Sequence, residues 1–411
     1  MAGPGGTAPQ RLRSDGAGAR AAAGAGERNG RPIITTITWH EDGTERTALW
    51  RSENGAPPPR RVVPADDTAK ADLAFRQASE GTALLWRGDY QNARQLLTAL
   101  ARRADRPRRR PKPVPDGVQA FHLYRQARAQ RARMLGMLLV PVDPGHVVAL
   151  RRAPDVRAAC EEAYGPSDEP YVVSLRELLG LIGAHEWRVN GVPIDALGGA
   201  RVHPHYGVFS PVRGEYVDLV AQAPLPETGT AFDIGTGTGV LAAVLAHRGV
   251  RRVVATDMDR RALACARENI ERLGFQERVE VVQADLYPPA RAGLVVCNPP
   301  WLPGKPATPL EHAVYDQGGR MLRGFLDGLA DRLEPGGEGW LIMSDLAEHL
   351  GLRGPGELPD MIGAAGLRVI DRLDTKPVHG RAGDATDLFH RARAAETTSL
   401  WRLAPGDPQA G

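Results

Sequence analysis

The spacing of apolar and polar residues divides the chain into three stretches. Residues 1–31 are rich in Gly, Ala and Arg and show no hydrophobic period, so we expect a disordered tail. Residues 32–200 contain mostly helix-like patterns. Residues 201–404 alternate short apolar runs with amphipathic helical patterns, which predicts βαβ units and a parallel sheet.

Four local patterns stand out within residues 32–200. The apolar residues at 33–39 and 48–51 predict a small hairpin. Apolar side chains at helical intervals over 65–103, with Leu84 and Leu85 among them, predict a helical pair, and Val118–Met137 predicts a further helix. Residues 186–194 resemble a hairpin around an Asn-Gly turn.

The most informative stretch is residues 230–239. Phe232 and Ile234 predict the end of a buried strand, and residues 240–247 predict the helix that follows. Between them stand Gly235, Gly237 and Gly239. Because glycine has no Cβ, the backbone can turn sharply there and let a ligand approach the amides at the helix start. Such a turn suits an adenosine-containing ligand, although it also occurs as a purely structural turn in α/β proteins.

The spacing of these glycines distinguishes between two cofactors. A nicotinamide fingerprint is G-x-G-x-x-G/A, and Val240 stands where its third small residue belongs. The pattern is G-x-G-x-G instead, directly preceded by Asp233. It resembles motif I of the class I methyltransferases that depend on S-adenosylmethionine (SAM). The resemblance implies that Asp233 and the three glycines hold SAM.

Two aspartates follow in the order expected for that family. The apolar strand 250–255 closes on Asp257, eighteen positions after Gly239. An acidic residue at this strand end can accept hydrogen bonds from both ribose hydroxyls. The next predicted strand, 279–282, leads to Asp285, and the resemblance implies that Asp285 contacts the adenine amino group. Taken singly, each aspartate is more typical of a strand-end cap or a solvated loop residue, and the occurrence of both in the family's order and spacing reverses that preference.

A third motif follows the apolar strand at 293–297 and reads Asn298-Pro299-Pro300-Trp301. It resembles the N-P-P-[YFW] motif of methyltransferases that modify a nitrogen conjugated to a planar π system. The Asn298 side-chain oxygen and the Pro299 carbonyl can each accept one N–H of such a nitrogen. Pro299 and Pro300 stiffen the backbone, and Trp301 offers a face for stacking. We predict these four residues as catalytic, with Asn298 also near the cofactor and Trp301 near the substrate.

The segment ahead of the glycine motif supplies further candidates. Phe209, Pro211 and Arg213 resemble a segment that precedes motif I in release-factor glutamine and ribosomal-RNA guanine-N2 methyltransferases, and we predict them as substrate-binding. The glutamine enzymes carry Pro-Arg-Pro-Glu-Thr, whereas Val212 and Gly214 interrupt that order here. A surface loop ahead of an amphipathic helix is the alternative interpretation of these residues.

The resemblance spans about residues 206–403 and implies an architecture. We expect an α/β catalytic domain at 201–404, with a Rossmann-like, seven-stranded, doubly wound sheet whose final strand is antiparallel. Residues 32–200 resemble no family that we can name. We predict for them a mainly helical α+β domain that recognises the substrate.

Charge is distributed unevenly along the chain. The whole chain holds 52 basic and 49 acidic residues, whereas residues 1–115 hold 20 and 12, a net charge of +8. A basic linker near residues 102–113 concentrates this charge, and the predicted helix after it carries four more arginines. Such a segment suits a polyanion, which favours RNA as partner, although a solvated linker explains the same charge.

Other features exclude several classes of protein. Cys160, Cys265 and Cys297 are scattered and match no metal spacing, so we expect neither a disulfide framework nor a metal site. No apolar run reaches the roughly 18 residues of a membrane helix. We therefore expect a soluble cytoplasmic protein; the sequence does not indicate its oligomeric state.

Together these observations predict a SAM-dependent N-methyltransferase whose acceptor is a nucleobase amine in RNA or DNA, most plausibly in structured RNA. A glutamine or other amide in a protein is the alternative acceptor, followed by a small-molecule amine. A binding scaffold with an idle methyltransferase domain is a further hypothesis. It predicts decay of the SAM or Asn-Pro-Pro-Trp residues, and both sets are intact.

Overall fold

A computed structural model describes residues 35–106, 117–306, 309–377 and 388–406. The predicted disordered tail at 1–31 and most of the predicted basic linker lie outside these ranges. Within them the chain forms two large sheets, each with its own hydrophobic core.

The first sheet has six strands in the order β1-β2-β6-β5-β4-β3. Its strands are β1 (Thr36–Glu41), β2 (Thr44–Trp50), β3 (Arg61–Ala65), β4 (Thr82–Trp86), β5 (Leu138–Val142) and β6 (Tyr171–Ser174). Helices packed with it are α1 (Ala71–Ser79), α2 (Tyr90–Ala104), α3 (Val118–Leu135), α4 (Arg157–Tyr164) and α5 (Leu175–Asn190). Leu84, Leu138 and Val173 face these helices, whereas Leu85, Leu139 and Val172 face the β1–β2 hairpin. Alternate residues of each strand therefore bury opposite faces of the sheet.

Part of the predicted N-terminal structure is confirmed and part is wrong. The hairpin predicted from residues 33–39 and 48–51 is β1–β2, which spans Thr36–Trp50 of the described residues, and the helix predicted at Val118–Met137 is α3. Leu84 and Leu85 are not helical: they lie in β4, fully buried in the interior of the sheet. The hairpin predicted at 186–194 is also wrong, because α5 continues to Asn190 and Gly191 ends it with a positive φ.

A short hairpin and one helix lead into the second sheet. They are β7 (Val192–Ile194), β8 (Ala200–Val202) and α6 (Glu215–Gln222). The seven-stranded sheet has the order β11-β10-β9-β12-β15-β17-β16. Its strands are β9 (Thr230–Ile234), β10 (Arg252–Asp257), β11 (Val279–Gln283), β12 (Ala292–Cys297), β15 (Leu333–Ser344), β16 (Leu367–Thr375) and β17 (Thr398–Pro405).

Helices cover both faces of this sheet. They are α7 (Val240–His247), α8 (Arg260–Arg272), α9 (Arg320–Arg332) and α11 (Glu357–Ala364). In β12, Leu294 and Val296 belong to the core cluster of α7, and Val295 and Cys297 to that of α9. Strands β9 to β12 and β15 are parallel, whereas β17 is antiparallel to β15 and β16. The predicted seven-stranded doubly wound sheet with an antiparallel final strand is thus confirmed.

Helix α3 connects the two parts of the molecule. Its last residues, Met134 and Leu135, pack into the core of the first sheet. Near its start, Phe121 packs against Leu302 and Phe389 in a separate cluster. That cluster contains residues from the remaining elements β13 (Leu302–Pro303), β14 (Tyr315–Asp316), α10 (Leu346–His349) and α12 (His390–Ala395). A helix of the N-terminal half therefore reaches the segment that directly follows Trp301.

Two salt-bridge networks also join the halves. Glu268 of α8 accepts from Arg188 of α5 at 2.8 Å and from His205 at 2.7 Å. Arg261, also in α8, pairs with Glu53 at 2.7 Å and donates to the Ala163 carbonyl at 2.9 Å. None of the helices in the described ranges is long and apolar enough to span a bilayer.

Candidate active site

The strand order brings two loops together. The chain leaves β9 towards β10 and β11 and then returns to the other side of β9 as β12. Asp233 of β9 is in register with Val296 of β12, so both strands end at the same edge of the sheet. A crevice opens at such a switch point, outside the carboxyl ends of the strands. The Gly235–Gly239 loop and the Asn298–Trp301 segment flank it.

The Asp233 side chain hydrogen-bonds to the glycine loop from the buried side of that loop. This side chain is buried, and one carboxylate oxygen accepts from the Thr236 hydroxyl at 2.6 Å and the Ala242 amide at 3.0 Å. Burial raises the pKa of Asp233 to about 6, against the lowering effect of these two hydrogen bonds. Both contacts link the loop to the first turn of α7.

The three glycines differ in their surroundings. All have positive φ, which L side chains rarely adopt. A Cβ at Gly235 would collide with the methyl of Met321, and one at Gly239 would lie 3.3 Å from the backbone of Ala266. A Cβ at Gly237 would meet nothing within 4 Å. The loop is therefore packed at both ends and open at its middle.

Asp257 lies beside that open position. It accepts from the Gly237 amide at 3.1 Å and from the Asp259 amide at 2.9 Å, one on each carboxylate oxygen. Burial raises the pKa of Asp257 above its usual value. The carboxylate retains acceptor capacity, which a ribose hydroxyl requires.

Asp285 lies farther along the same edge. It is exposed and pairs with Arg320, at the start of α9, at 2.6 Å. The same guanidinium lies 3.9 Å from the Met258 sulfur. Met258 follows Asp257 and is 52 % exposed, so it offers an apolar surface between the two aspartates.

The Asn298–Trp301 segment has an internal hydrogen bond. The Trp301 indole N–H donates to the Asn298 side-chain oxygen at 2.9 Å. Because an amide oxygen has two lone pairs, this bond orients the Asn298 amide and leaves a second acceptor position. Pro299 is buried, and Trp301 is half-buried against the cores on both faces of the sheet.

A cation lies over the Trp301 ring. The Arg213 guanidinium carbon is 5.4 Å from the ring centroid. Arg213 donates to Glu215 at 2.8 Å and to Glu396 at 3.3 Å, and the Ser344 hydroxyl donates to the same Glu396 oxygen at 2.7 Å. Glu396 is fully buried. A chain of contacts thus runs from the start of β17 through Arg213 to Trp301.

The remaining sequence candidates are placed as follows. Pro211 is buried, Phe209 is half-buried, and both precede α6. Of the three candidates in this segment, the structure brings Arg213 against Trp301. Asp316 is buried and accepts from the Met321 amide at 3.0 Å and the Leu322 amide at 3.1 Å, which caps α9 and holds Met321 over Gly235.

The sequence interpretation missed several residues of the site. Met321 covers Gly235, and Met258 lies beside Asp257. Glu396 accepts from Arg213 and is itself bonded by Ser344. Glu396 is 183 positions from Arg213, and no motif surrounds it. Only the helix start after Asp316-Gln317-Gly318-Gly319 could have indicated Met321.

The residues at the crevice fit an adenosine ligand. The middle of the glycine loop is open, the Asp257 carboxylate keeps acceptor capacity, and Met258 is apolar and exposed. The three cysteines are buried and unpaired. In the described part of the chain, no cluster of three His, Cys, Asp or Glu side chains could hold a metal ion.

Known proteins share this domain. Residues 199–350 match the family model described as the methyltransferase small domain. A release factor glutamine methyltransferase of Cereibacter sphaeroides is 32 % identical over 173 residues, which cover 37 % of this chain and 62 % of that protein. A tRNA1(Val) (adenine(37)-N6)-methyltransferase of Shewanella loihica is 33 % identical over 105 residues, covering 23 % of this chain and 43 % of that protein.

A third relative matches over a longer stretch. The ribosomal protein L11 methyltransferase of Sorangium cellulosum is 28 % identical over 266 residues, which cover 58 % of this chain and 77 % of that protein. The chain thus spans less than two thirds of the first two relatives described. Residues 199–350 are thus similar to the methyltransferase small domain, and the cofactor of this class is S-adenosylmethionine.

Proposed function

We propose that this protein is a SAM-dependent N-methyltransferase that modifies a planar amino nitrogen of a nucleobase in RNA. The observation that carries the proposal is the Trp301–Asn298 hydrogen bond beside the glycine loop. It joins a stacking surface to an oriented acceptor at the switch point of the sheet. A cytoplasmic location belongs to the same proposal.

The glycine loop and its neighbours would hold the cofactor. Gly237 leaves room for it, Asp257 would accept from its ribose, and Asp285 would face its adenine once Arg320 moves aside. Asp233 would stabilise the loop rather than contact the cofactor, because its carboxylate is buried and already hydrogen-bonded to Thr236 and Ala242. When bound, SAM supplies a methyl group on a sulfonium, a strong electrophile.

The Asn298–Trp301 segment would prepare the nucleophile. A nitrogen conjugated to a π system is a poor nucleophile because its lone pair is delocalised. Asn298 Oδ1 would accept one N–H through its second lone pair, and the Pro299 carbonyl would accept the other. Trp301 would stack on the planar base, with Arg213 against the indole. Catalysis then consists mainly of orientation and alignment.

The names of the relatives support a planar nitrogen as the methyl acceptor. They leave two classes of acceptor, a nucleobase amine and a protein amide. One relative is named for adenine N6 of a tRNA and another for glutamine of a release factor. The broken Pro-Arg-Pro-Glu-Thr order at residues 211–215 weighs against the release-factor substrate. A protein amide is therefore the second candidate, which the release-factor relative favours.

Methyl transfer from tritium-labelled SAM distinguishes these candidates. The acceptors are RNA and protein fractions from a strain that lacks the gene, and the matched control is Asn298→Ala, which we expect to bind SAM without transferring the methyl group. Label in RNA supports the proposal, and label in protein moves the acceptor to an amide. Label in neither fraction would overturn both and leave a small molecule or an idle scaffold.

A further inference from the structure

Helices α2 and α3 together contain seven arginines and no Asp or Glu. The two helices pack against one another. Three of these arginines have acidic partners: Arg103 pairs with Asp72 at 2.7 Å, Arg125 with Glu311 at 3.6 Å and Arg131 with Asp105 at 2.7 Å. The others give this surface an excess of positive charge.

Three arginines form a stripe along α3, in which Arg128 lies between the two paired residues. Arg125, Arg128 and Arg131 follow at intervals of three, so they share one side of the helix. Burial, and then repulsion from Arg131 and Arg128, hold the pKa of the neighbouring Arg176 below its usual value. Among the described residues, neither Arg128 nor Arg176 has a carboxylate within ion-pair distance.

A second basic feature adjoins this stripe at Asp105. Arg102, Arg103 and Arg106 line an open depression of about 480 Å³ together with Gln95 and Thr98. Asp105, which pairs with Arg131, directly precedes Arg106. The Asp105–Arg131 salt bridge therefore places the end of α2 next to the second half of α3.

The stripe ends beside Gly304 and Lys305, in the segment that follows Trp301. Arg125 donates to the Lys305 carbonyl at 2.6 Å, and its Nη1 is 3.0 Å from a Cβ built at Gly304. Gly304 is three residues beyond Trp301. From Arg125 to Arg131 the helix rises about 9 Å. A chain of phosphates along α3 would therefore begin next to the site where Trp301 would stack a base.

Aromatic rings accompany the arginines. The Arg125 guanidinium lies 4.1 Å from the Tyr315 ring centroid, and that of Arg128 lies 5.6 Å from the Tyr124 centroid. Basic side chains with interleaved aromatic rings are typical of surfaces that bind unpaired nucleic acid, because bases stack and phosphates pair with guanidinium groups. An acidic polypeptide would use the charge but not the rings.

We propose that the surface formed by the end of α2, by α3 and by the start of α5, and defined by Arg102, Arg106, Arg128 and Arg176, binds the phosphates of an unpaired RNA segment; it is called here the α2–α3 face. The target base of that segment then enters the site at Trp301. This placement of the base rests on the proposed function. An unpaired segment is required because an exocyclic amine held in a base pair cannot donate to Asn298.

Binding of a fluorescein-labelled RNA stem-loop with a single-stranded loop, measured by anisotropy over a series of KCl concentrations, tests the α2–α3 face. The full-length variant carries Arg128→Gln and Arg176→Gln. The matched control carries Arg291→Gln and Arg368→Gln, two exposed arginines at the opposite end of the catalytic sheet. Calorimetric titration with SAM checks that both variants remain folded.

We expect the wild-type association constant to fall steeply with salt. Loss of two phosphate contacts should reduce the log–log slope by about 1 to 2 and weaken binding about 10-fold or more at low salt. The control should change by less than about 2-fold. Equal weakening in the control, an unchanged slope in the variant, or equally strong competition by polyglutamate would overturn the proposal.

The binding test and the transfer test fail separately. If the Arg128→Gln and Arg176→Gln variant shows the expected smaller salt slope but the transfer assay puts no label in RNA, the α2–α3 face is supported and the nucleobase acceptor is overturned. If the transfer assay labels RNA but the variant has the same salt slope as the wild type, the nucleobase acceptor is supported and the α2–α3 face is overturned.

Discussion

The indole N–H of Trp301 donates to the side-chain oxygen of Asn298 at 2.9 Å, so the stacking residue also orients the acceptor residue. The two functions expected of this motif are therefore coupled through one bond. The Arg213 guanidinium, 5.4 Å from the Trp301 ring centroid, holds the indole in turn.

Replacing Trp301 by Phe keeps an aromatic face and removes the N–H. We expect kcat/KM to fall about 3- to 10-fold, the cost of one hydrogen bond, with most of the loss in kcat. Trp301→Ala removes the ring as well and should lower kcat/KM at least about another 10-fold. Steady-state kinetics with the acceptor identified by labelling would measure both. Equal activity of the Phe variant and the wild type would contradict a role for the hydrogen bond.

Asp257 is expected to carry much of the affinity for SAM. Asp257→Ala removes the predicted acceptor for the ribose hydroxyls and also the bond from the Gly237 amide. Hydrogen bonds to a charged group contribute about 1.5–3 kcal/mol, so the Kd for SAM should rise about 10- to 150-fold. Calorimetric titration with SAM measures this Kd. The control is Asp331→Asn, because Asp331 is an exposed residue of α9. An unchanged Kd in Asp257→Ala would remove Asp257 from the cofactor site.

Arg213 and Glu396 should be coupled energetically. Arg213→Met leaves the fully buried Glu396 carboxylate without its cation, which should reduce the free energy of unfolding by about 3–5 kcal/mol. Adding Glu396→Gln removes that buried charge, so the double variant should regain part of the loss. Urea unfolding of the four proteins in this cycle gives the coupling. Additive losses would show that the pair does not interact.

The Arg188–Glu268–His205 network predicts a pH dependence of stability. The pKa of Glu268 in the folded state is lowered to about 2. Burial by itself would raise this pKa, but the hydrogen bonds from His205 and Arg272 and the charge of Arg188 outweigh the effect of burial. Burial also lowers the pKa of His205, so neutral His205 donates to Glu268 near neutral pH. A lowered carboxyl pKa adds stability above the unfolded value of 4.5, and that stability is lost as pH falls towards 2.

Glu268→Gln should therefore reduce the free energy of unfolding by up to about 3 kcal/mol at pH 7. The difference from wild type should shrink between pH 4.5 and 3. Glu271→Gln, an exposed position on the same helix, is the control and should change stability by less than about 0.5 kcal/mol. A difference that stays constant with pH would assign the loss to packing rather than to charge.

The sequence predicted the C-terminal half more completely than the N-terminal half. The strand, turn and helix of residues 230–247 have strong local signals: alternating glycines between a buried strand and an apolar helix. Leu84 and Leu85 have no such signal, because a short apolar run fits a helix or a buried strand equally well. Pairing of β4 with β3 and β5 decides the choice, and that pairing is set by distant residues. The Asn190-Gly191 dipeptide predicted a hairpin turn but lies at the end of helix α5. A glycine with positive φ is common both in tight hairpin turns and directly after helices, so the dipeptide alone does not distinguish them.

By itself the sequence determined the chemistry available to this protein: the glycine turn, the carboxylate of Asp257 and the Asn298–Trp301 segment. Each depends on neighbouring residues, whose conformational preferences are local. Only the tertiary structure decided that β12 lies beside β9, that α3 reaches the segment after Trp301, and that Glu396 holds Arg213. These relationships follow from burying both faces of a sheet and from compensating buried charges. Both depend on residues far apart in the chain, which no local pattern encodes.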